Sequence, residues 1–99
     1  PVMKFSTVAE AVALANGNEY GLSIGILGDV GMAMTIADQL DSGKVHINEQ
    51  SVSDEANSPF GGMKNSGNGS RIGGHHANME SFTEIQWLTV RPEIAPYPF

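Results

Sequence analysis

The sequence predicts an α/β fold. Three observations carry the prediction: short β-type runs alternate with helical periodicity up to Asn48, each helical stretch starts at a side chain suited to capping, and the apolar spacing then stops at a glycine-rich segment. The order reads strand, helix, strand, helix, strand, the grammar of a sheet covered by helices.

Val2 to Phe5 is a short apolar run and the first expected strand. Thr7-Val-Ala-Glu10 reads as a capping box, with the hydroxyl accepting from a helix N–H and Glu10 reaching back. Val8, Ala11, Val12 and Ala15 recur at helical spacing. Asn16-Gly17 should end this helix in a left-handed glycine. Leu22 to Leu27 (LSIGIL) reads as a strand buried in a parallel sheet. Asp29 is the expected cap of a second helix, whose stripe is Ala33, Ile36, Ala37 and Leu40 and whose stop is Gly43. Lys44 to Ile47 is the third strand, and each crossover should be right-handed.

Residues 48–74 show no apolar period, and 59–69 read PFGGMKNSGNG. Each glycine costs a helix about 1 kcal/mol relative to alanine, and glycine weakens strands as well. The stretch is a loop, with Phe60 between Pro59 and Gly61. Long loops in small domains either serve a site or are flexible, and the residues alone leave both open. His75 to Ser81 suits a short helix, and Glu84 to Val90 (EIQWLTV) a strand with Ile85 and Trp87 on one face and Leu88 and Val90 on the other. Three of the five prolines fall in residues 91–99, which should be extended.

Composition narrows the function. Ninety-nine residues make at most one ordinary domain, and 40% hydrophobic content is near the globular norm. A net charge of −6 argues against nucleic acid. No run approaches the ~20 apolar residues of a membrane span, and no signal peptide is visible, so a cytoplasmic location is expected. The chain opens on Pro1-Val2 without Met, as a segment of a longer polypeptide would. With no cysteine, disulfides and thiolate zinc sites are excluded.

Several motifs lose to plainer readings. Gly67-x-Gly69-x-x-x-Gly73 neither follows a strand nor opens a helix at dinucleotide-fingerprint spacing. His75 and His76 point about 100° apart on a helix and lack ligand-spaced partners, so no metal is expected. His46 should face away from Val45 and Ile47 and is read as structural. Asn48 either orients the loop or simply ends its strand.

The string P-F-G-G-x-K-x-S-G-x-G, Pro59 to Gly69, resembles the C-terminal signature of the NAD(P)-dependent aldehyde dehydrogenases. Glu10-Ala11, Ala15-Asn16, Tyr20-Gly21-Leu22, Gly43-Lys44-Val45-His46-Ile47-Asn48, Phe82-Thr83-Glu84 and Gln86-Trp87 fit in the same order. Asp54-Glu55-Ala56 and the Pro96-Tyr97-Pro98-Phe99 tail look most like benzaldehyde, vanillin and salicylaldehyde dehydrogenases. The resemblance implies that residues 1–83 are the C-terminal part of a catalytic domain (βαβαβ plus the glycine-rich active-site loop). It implies that 84–99 form an oligomerisation strand and tail, with Ile85, Trp87, Leu88 and Val90 at the subunit contact.

By the same resemblance, the parent oxidises an aldehyde to its acid through a thiohemiacetal and a thioester, passing hydride to NAD or NADP. Its nucleophilic cysteine and its glutamate base lie elsewhere, so this chain alone is inactive and has no catalytic residue. Phe60 is expected in the aldehyde tunnel wall, with Glu55 as a weaker lining candidate and Pro59, Gly61 and Gly62 shaping the loop. Lys64 is expected in a backbone turn without chemistry. The cofactor would be bound mainly outside the chain, and the partners would be the rest of the enzyme, further copies of it (dimer or tetramer) and a small aromatic aldehyde. The alternatives are a standalone module pairing through 84–90, testable by size-exclusion chromatography, and a small nucleotide-binding protein.

Overall fold

Thr7 opens the first helix, α1 (Val8–Asn16): its hydroxyl accepts from the Glu10 backbone N–H at 3.2 Å. Glu10 reaches back to the N–H of Ser6 at 2.8 Å, one residue earlier than a strict capping box requires. The structure is a computed structural model, described here for residues 1–97. After α1 come β1 (Tyr20–Gly21), β2 (Ser23–Ile26), α2 (Val30–Ala37), β3 (Lys44–Ile47), β4 (Met63–Lys64) and α3 (His75–Phe82).

The expected parallel unit is present. β2 and β3 pair in parallel, Ser23 with Lys44 through Ile26 with Ile47, and α2 connects them. Asp29 caps α2 by accepting from the Met32 N–H at 2.8 Å. Strand alternation places Ile24, Ile26, Val45 and Ile47 on one face, and Lys44 and His46 on the other. β1 pairs with β4 antiparallel.

Five expectations change. Val2 to Phe5 is not a strand but exposed chain: no neighbour completes its ladder, so the order begins with a helix and the expected βαβαβ contracts to one βαβ unit. Gly17 is not left-handed (φ −75°); a β-carbon there would sit 2.9 Å from the Ala13 carbonyl oxygen, and this close approach is why glycine suits the position. Gly43 does not stop α2, which ends at Ala37 with Asp38 as its cap. Residues 84–90 form no strand within this chain. Ile85 is 102% exposed and Trp87 91%, with Leu88 and Val90 also exposed, because no sheet edge among the described residues receives them. The glycine-rich segment, in turn, is not wholly irregular, since β4 lies inside it. Of the proline-rich tail, Pro98 and Phe99 fall outside the described residues.

Asn48 locks the carboxyl ends of the parallel pair. Its Oδ1 accepts from the Gly28 N–H at 2.8 Å, and its Nδ2 donates to the Gly28 carbonyl at 2.9 Å. Its backbone is left-handed (φ 56°), a conformation asparagine tolerates better than most residues. Asn48 therefore ends β3, and its side chain holds the connection after β2 rather than the glycine-rich loop.

The chain closes little core. Among the described residues Ala33 is the one buried apolar residue, and no large side chain is fully buried. The accessible surface is 8301 Å², whereas a compact monomer of this mass exposes roughly 5,400 Å². The radius of gyration is 20.9 Å, against about 13 Å for a compact domain of this length. The apolar sheet face and the two helices leave an open hollow of about 400 Å³ lined by Val8, Val12, Ile24, Met32 and Ile36. No helix among the described residues is long and apolar enough to cross a membrane.

Asn48→Ala should lower stability by about 2 kcal/mol, because it loses both side-chain bonds and strains the left-handed backbone. Asn48→Gly keeps the conformation and should cost about half as much. Denaturant unfolding of the two variants measures the difference, and equal costs would count against the backbone contribution.

Candidate functional site

The polar face of β3 meets the loop that leads into the glycine run. Lys44 and His46, two residues apart on the strand, border a hollow of about 370 Å³ with Ser53, Asp54, Glu55 and Phe60. Pro59 also lines it. Phe60 and Glu55, the two sequence-derived binding candidates, are thus brought to one cavity, whereas Gly61 and Gly62 are not in its lining. The hollow between the helices is comparable in size and more apolar, but its residues belong to the unfilled core, and Asp29 within it is engaged in capping α2.

Phe60 is fixed at its backbone. Its N–H donates to the Ile72 carbonyl at 2.6 Å, and its carbonyl accepts from the Ile72 N–H at 2.9 Å. The residue remains 38% exposed, so part of the ring is open for contact. The Lys44 ammonium lies 4.6 Å from the ring centroid and forms an ion pair with Asp54. Glu55 is exposed and accepts at its carbonyl from the Ser58 N–H at 3.0 Å, which turns the chain towards Pro59. His46 Nε2 is buried without a hydrogen-bond partner among the described residues. The imidazole lies on the face opposite Val45 and Ile47, as strand alternation requires.

The glycines act by what they lack. A β-carbon on Gly43 would overlap the Gly61 carbonyl, and one on Gly62 would overlap the Ser66 carbonyl. At these points main chain packs directly on main chain. Arg71 seals the contact: one guanidinium nitrogen donates to Gly43 O at 3.0 Å and to Gly61 O at 2.9 Å. The turn that follows is stitched to β1, where the Gly21 N–H donates to Ser66 Oγ at 3.1 Å and Asn65 Nδ2 donates to Glu19 Oε2 at 2.8 Å.

Lys64 does hold a turn (φ 52°), and its ammonium has a structural task. It donates to the Asn16 carbonyl at 2.8 Å and the Asn18 carbonyl at 3.3 Å, and stands 3.6 Å from Asp41. α1 has no basic residue in its last turn, so Lys64 brings a cation to the helix end where the dipole favours one.

Gly67, Gly69 and Gly73 form no phosphate cradle. Gly69 and Gly73 are left-handed turn residues, and the Gly73 N–H is taken by Asn78 Oδ1 at 2.8 Å. The His75 and His76 rings stack edge-on, 5.4 Å apart. Among the described residues no three His, Asp or Glu side chains gather as a metal site.

Sequence reasoning missed Lys44, Asp54 and Arg71 as organisers of this region. Lys44 was detectable, since it shares a strand face with His46. Arg71 was not, because its two carbonyl acceptors are distant in sequence and become neighbours only when β3 meets the loop.

The arrangement can hold and orient an apolar group. A half-open ring, a cation and carboxylates border the hollow, and the chain contains no thiol. Residues 1–88 match the Aldehyde dehydrogenase family, and the chain belongs to that family. Among its relatives, vanillin dehydrogenase of Amycolatopsis sp. is 52% identical over 100 residues, covering 100% of this chain and 21% of that protein. Benzaldehyde dehydrogenase [NAD(+)] of Pseudomonas putida is 43% identical over 100 residues, covering 100% of this chain and 20% of its own length. The crystal structure of a salicylaldehyde dehydrogenase from Pseudomonas putida G7 complexed with salicylaldehyde superposes with a TM-score of 0.83 at 42% identity, covering 96% of this chain and 19% of that one. The chain therefore spans about a fifth of the length of the curated relatives it matches.

Gly62→Ala should destabilise the protein by about 3 kcal/mol or more, since the added methyl meets backbone rather than a movable side chain. The melting temperature checks this. A change within error would mean that the Ser66 turn can move aside.

Proposed function

We propose that this chain is the C-terminal segment of an enzyme that oxidises aromatic aldehydes to carboxylic acids with NAD or NADP, and that it supplies shape rather than reactive groups. The carrying observation is Phe60: a ring anchored through its backbone to Ile72, half open, at the rim of a hollow it shares with Glu55. An aromatic substrate gains about 0.5–1.5 kcal/mol from ring–ring contact beyond area burial. The names of the relatives support the aromatic class. Glu55 is a secondary lining residue, and Pro59, Gly61 and Gly62 set the path of the loop.

The nucleophilic cysteine and the base would lie outside this chain, which has no cysteine and would be inactive alone. The main cofactor contacts would likewise lie outside this chain. Residues 1–83 would complete the catalytic domain. Residues 84–99 would join subunits of a dimer or tetramer, with Ile85, Trp87, Leu88 and Val90 buried at the contact. Their exposure here supports this, since burying one such side chain is worth about 1.5–3 kcal/mol. A cytoplasmic site of action goes with this reading.

In the complete enzyme, Phe60→Ala should raise the KM for benzaldehyde roughly tenfold while leaving the dinucleotide KM unchanged. Equal losses for both ligands would refute the wall role. Deleting residues from Glu84 onward should dissociate the oligomer, as read by analytical ultracentrifugation; a truncated enzyme that kept its assembly would refute the joining role.

A further inference from the structure

We propose that Lys44 is a positioning residue for aldehyde selectivity, acting through Phe60; this rests on the reading of Phe60 as the aldehyde wall. Lys44 is the point where three parts of the site meet. Its backbone belongs to β3, paired with Ser23 of β2. Its ammonium stands 4.6 Å from the Phe60 ring centroid and is ion-paired with Asp54 in the loop that follows β3. The side chain is only 13% exposed, so water competes little for the cation and both contacts gain strength.

The Phe60 backbone is held by Ile72, but that bridge leaves the ring free to turn about its side-chain torsions. The ammonium is the contact that selects one ring position. Through Asp54 it also fixes the loop carrying Glu55, the other carboxylate at the hollow. Without the cation the ring would populate other rotamers, and Asp54 and Glu55 would face the cavity with no positive partner there. An aromatic aldehyde, which depends on ring geometry, would lose affinity; a short aliphatic aldehyde would barely register the change.

The test uses the complete dehydrogenase, with benzaldehyde and acetaldehyde as paired substrates. Lys44→Met keeps the aliphatic stem and removes the charge. It should raise the benzaldehyde KM about three- to tenfold, with acetaldehyde KM, dinucleotide KM and kcat all within about twofold of the parent. Lys44→Arg retains a cation able to lie over the ring and should restore selectivity. Lys44→Gln serves as the second variant, with the same expectation, if Lys44→Met does not fold. In a Phe60→Ala background Lys44→Met should add nothing, because its effect passes through the ring. Equal losses for both aldehydes, or effects that multiply in the double variant, would overturn the proposal while leaving the wall reading intact. A Phe60→Ala enzyme with unchanged benzaldehyde KM would instead defeat the wall reading, and the two failures are thereby told apart.

Discussion

Main chain packed on main chain, with no side chain between, is the constraint on which the rest of this structure depends. Where β3 begins, Gly43 lies against the Gly61 carbonyl, and Gly62 lies against Ser66 one step further on. Close packing of this kind brings carbonyl oxygens together, which is unfavourable unless donors reach them. Arg71 supplies the donor, bridging Gly43 and Gly61. Phe60 immediately precedes this contact, so its backbone is placed by main-chain packing and its ring meets the Lys44 ammonium rather than a surrounding core. That is unusual for an aromatic residue, and it follows from how little core the chain has.

The cations share one pattern. Five lysines and arginines accompany eleven acidic residues, and three of those five point inward at structure. Arg71 bridges two loop carbonyls, Lys64 meets the carbonyls at the end of α1, and Lys44 meets a ring and a loop carboxylate. Exposed ion pairs contribute little. These cations are effective because their main partners are carbonyls or a ring face within partly shielded ground. An acidic chain thus concentrates its positive charge where the strand, the loop and the helix end converge.

Incomplete closure is the third feature, and it has a simple geometric origin. A two-stranded parallel pair covered by short helices cannot surround its own apolar face. The hollow between α1, α2 and β2, the exposed residues of 84–90 and the large accessible surface are three expressions of the same shortage. Membership of the aldehyde dehydrogenase family, with relatives about five times as long, agrees with an apolar face that expects further structure against it.

Local chemistry was readable from the residues. Thr7 and Asp29 as caps, the helices that follow them and the short helix at His75 rest on interactions within a few positions, and the β2–β3 pair was legible because the helix between them sets up the parallel crossover. The sequence failed where an element depends on a distant partner: Val2–Phe5 and Glu84–Val90 have strand composition but no strand, because a strand exists only when something completes its ladder. The glycine run announced a bend and a pocket-edge aromatic, yet gave no sign that Gly43 and Gly62 were chosen for backbone contact, or that Lys44, Asp54 and Arg71 would converge on Phe60. Those groups are brought together by the crossover through α2 and by the pairing of β1 with β4. Tertiary structure alone decided the site, because its members share no local period and meet only after the chain has turned back on itself.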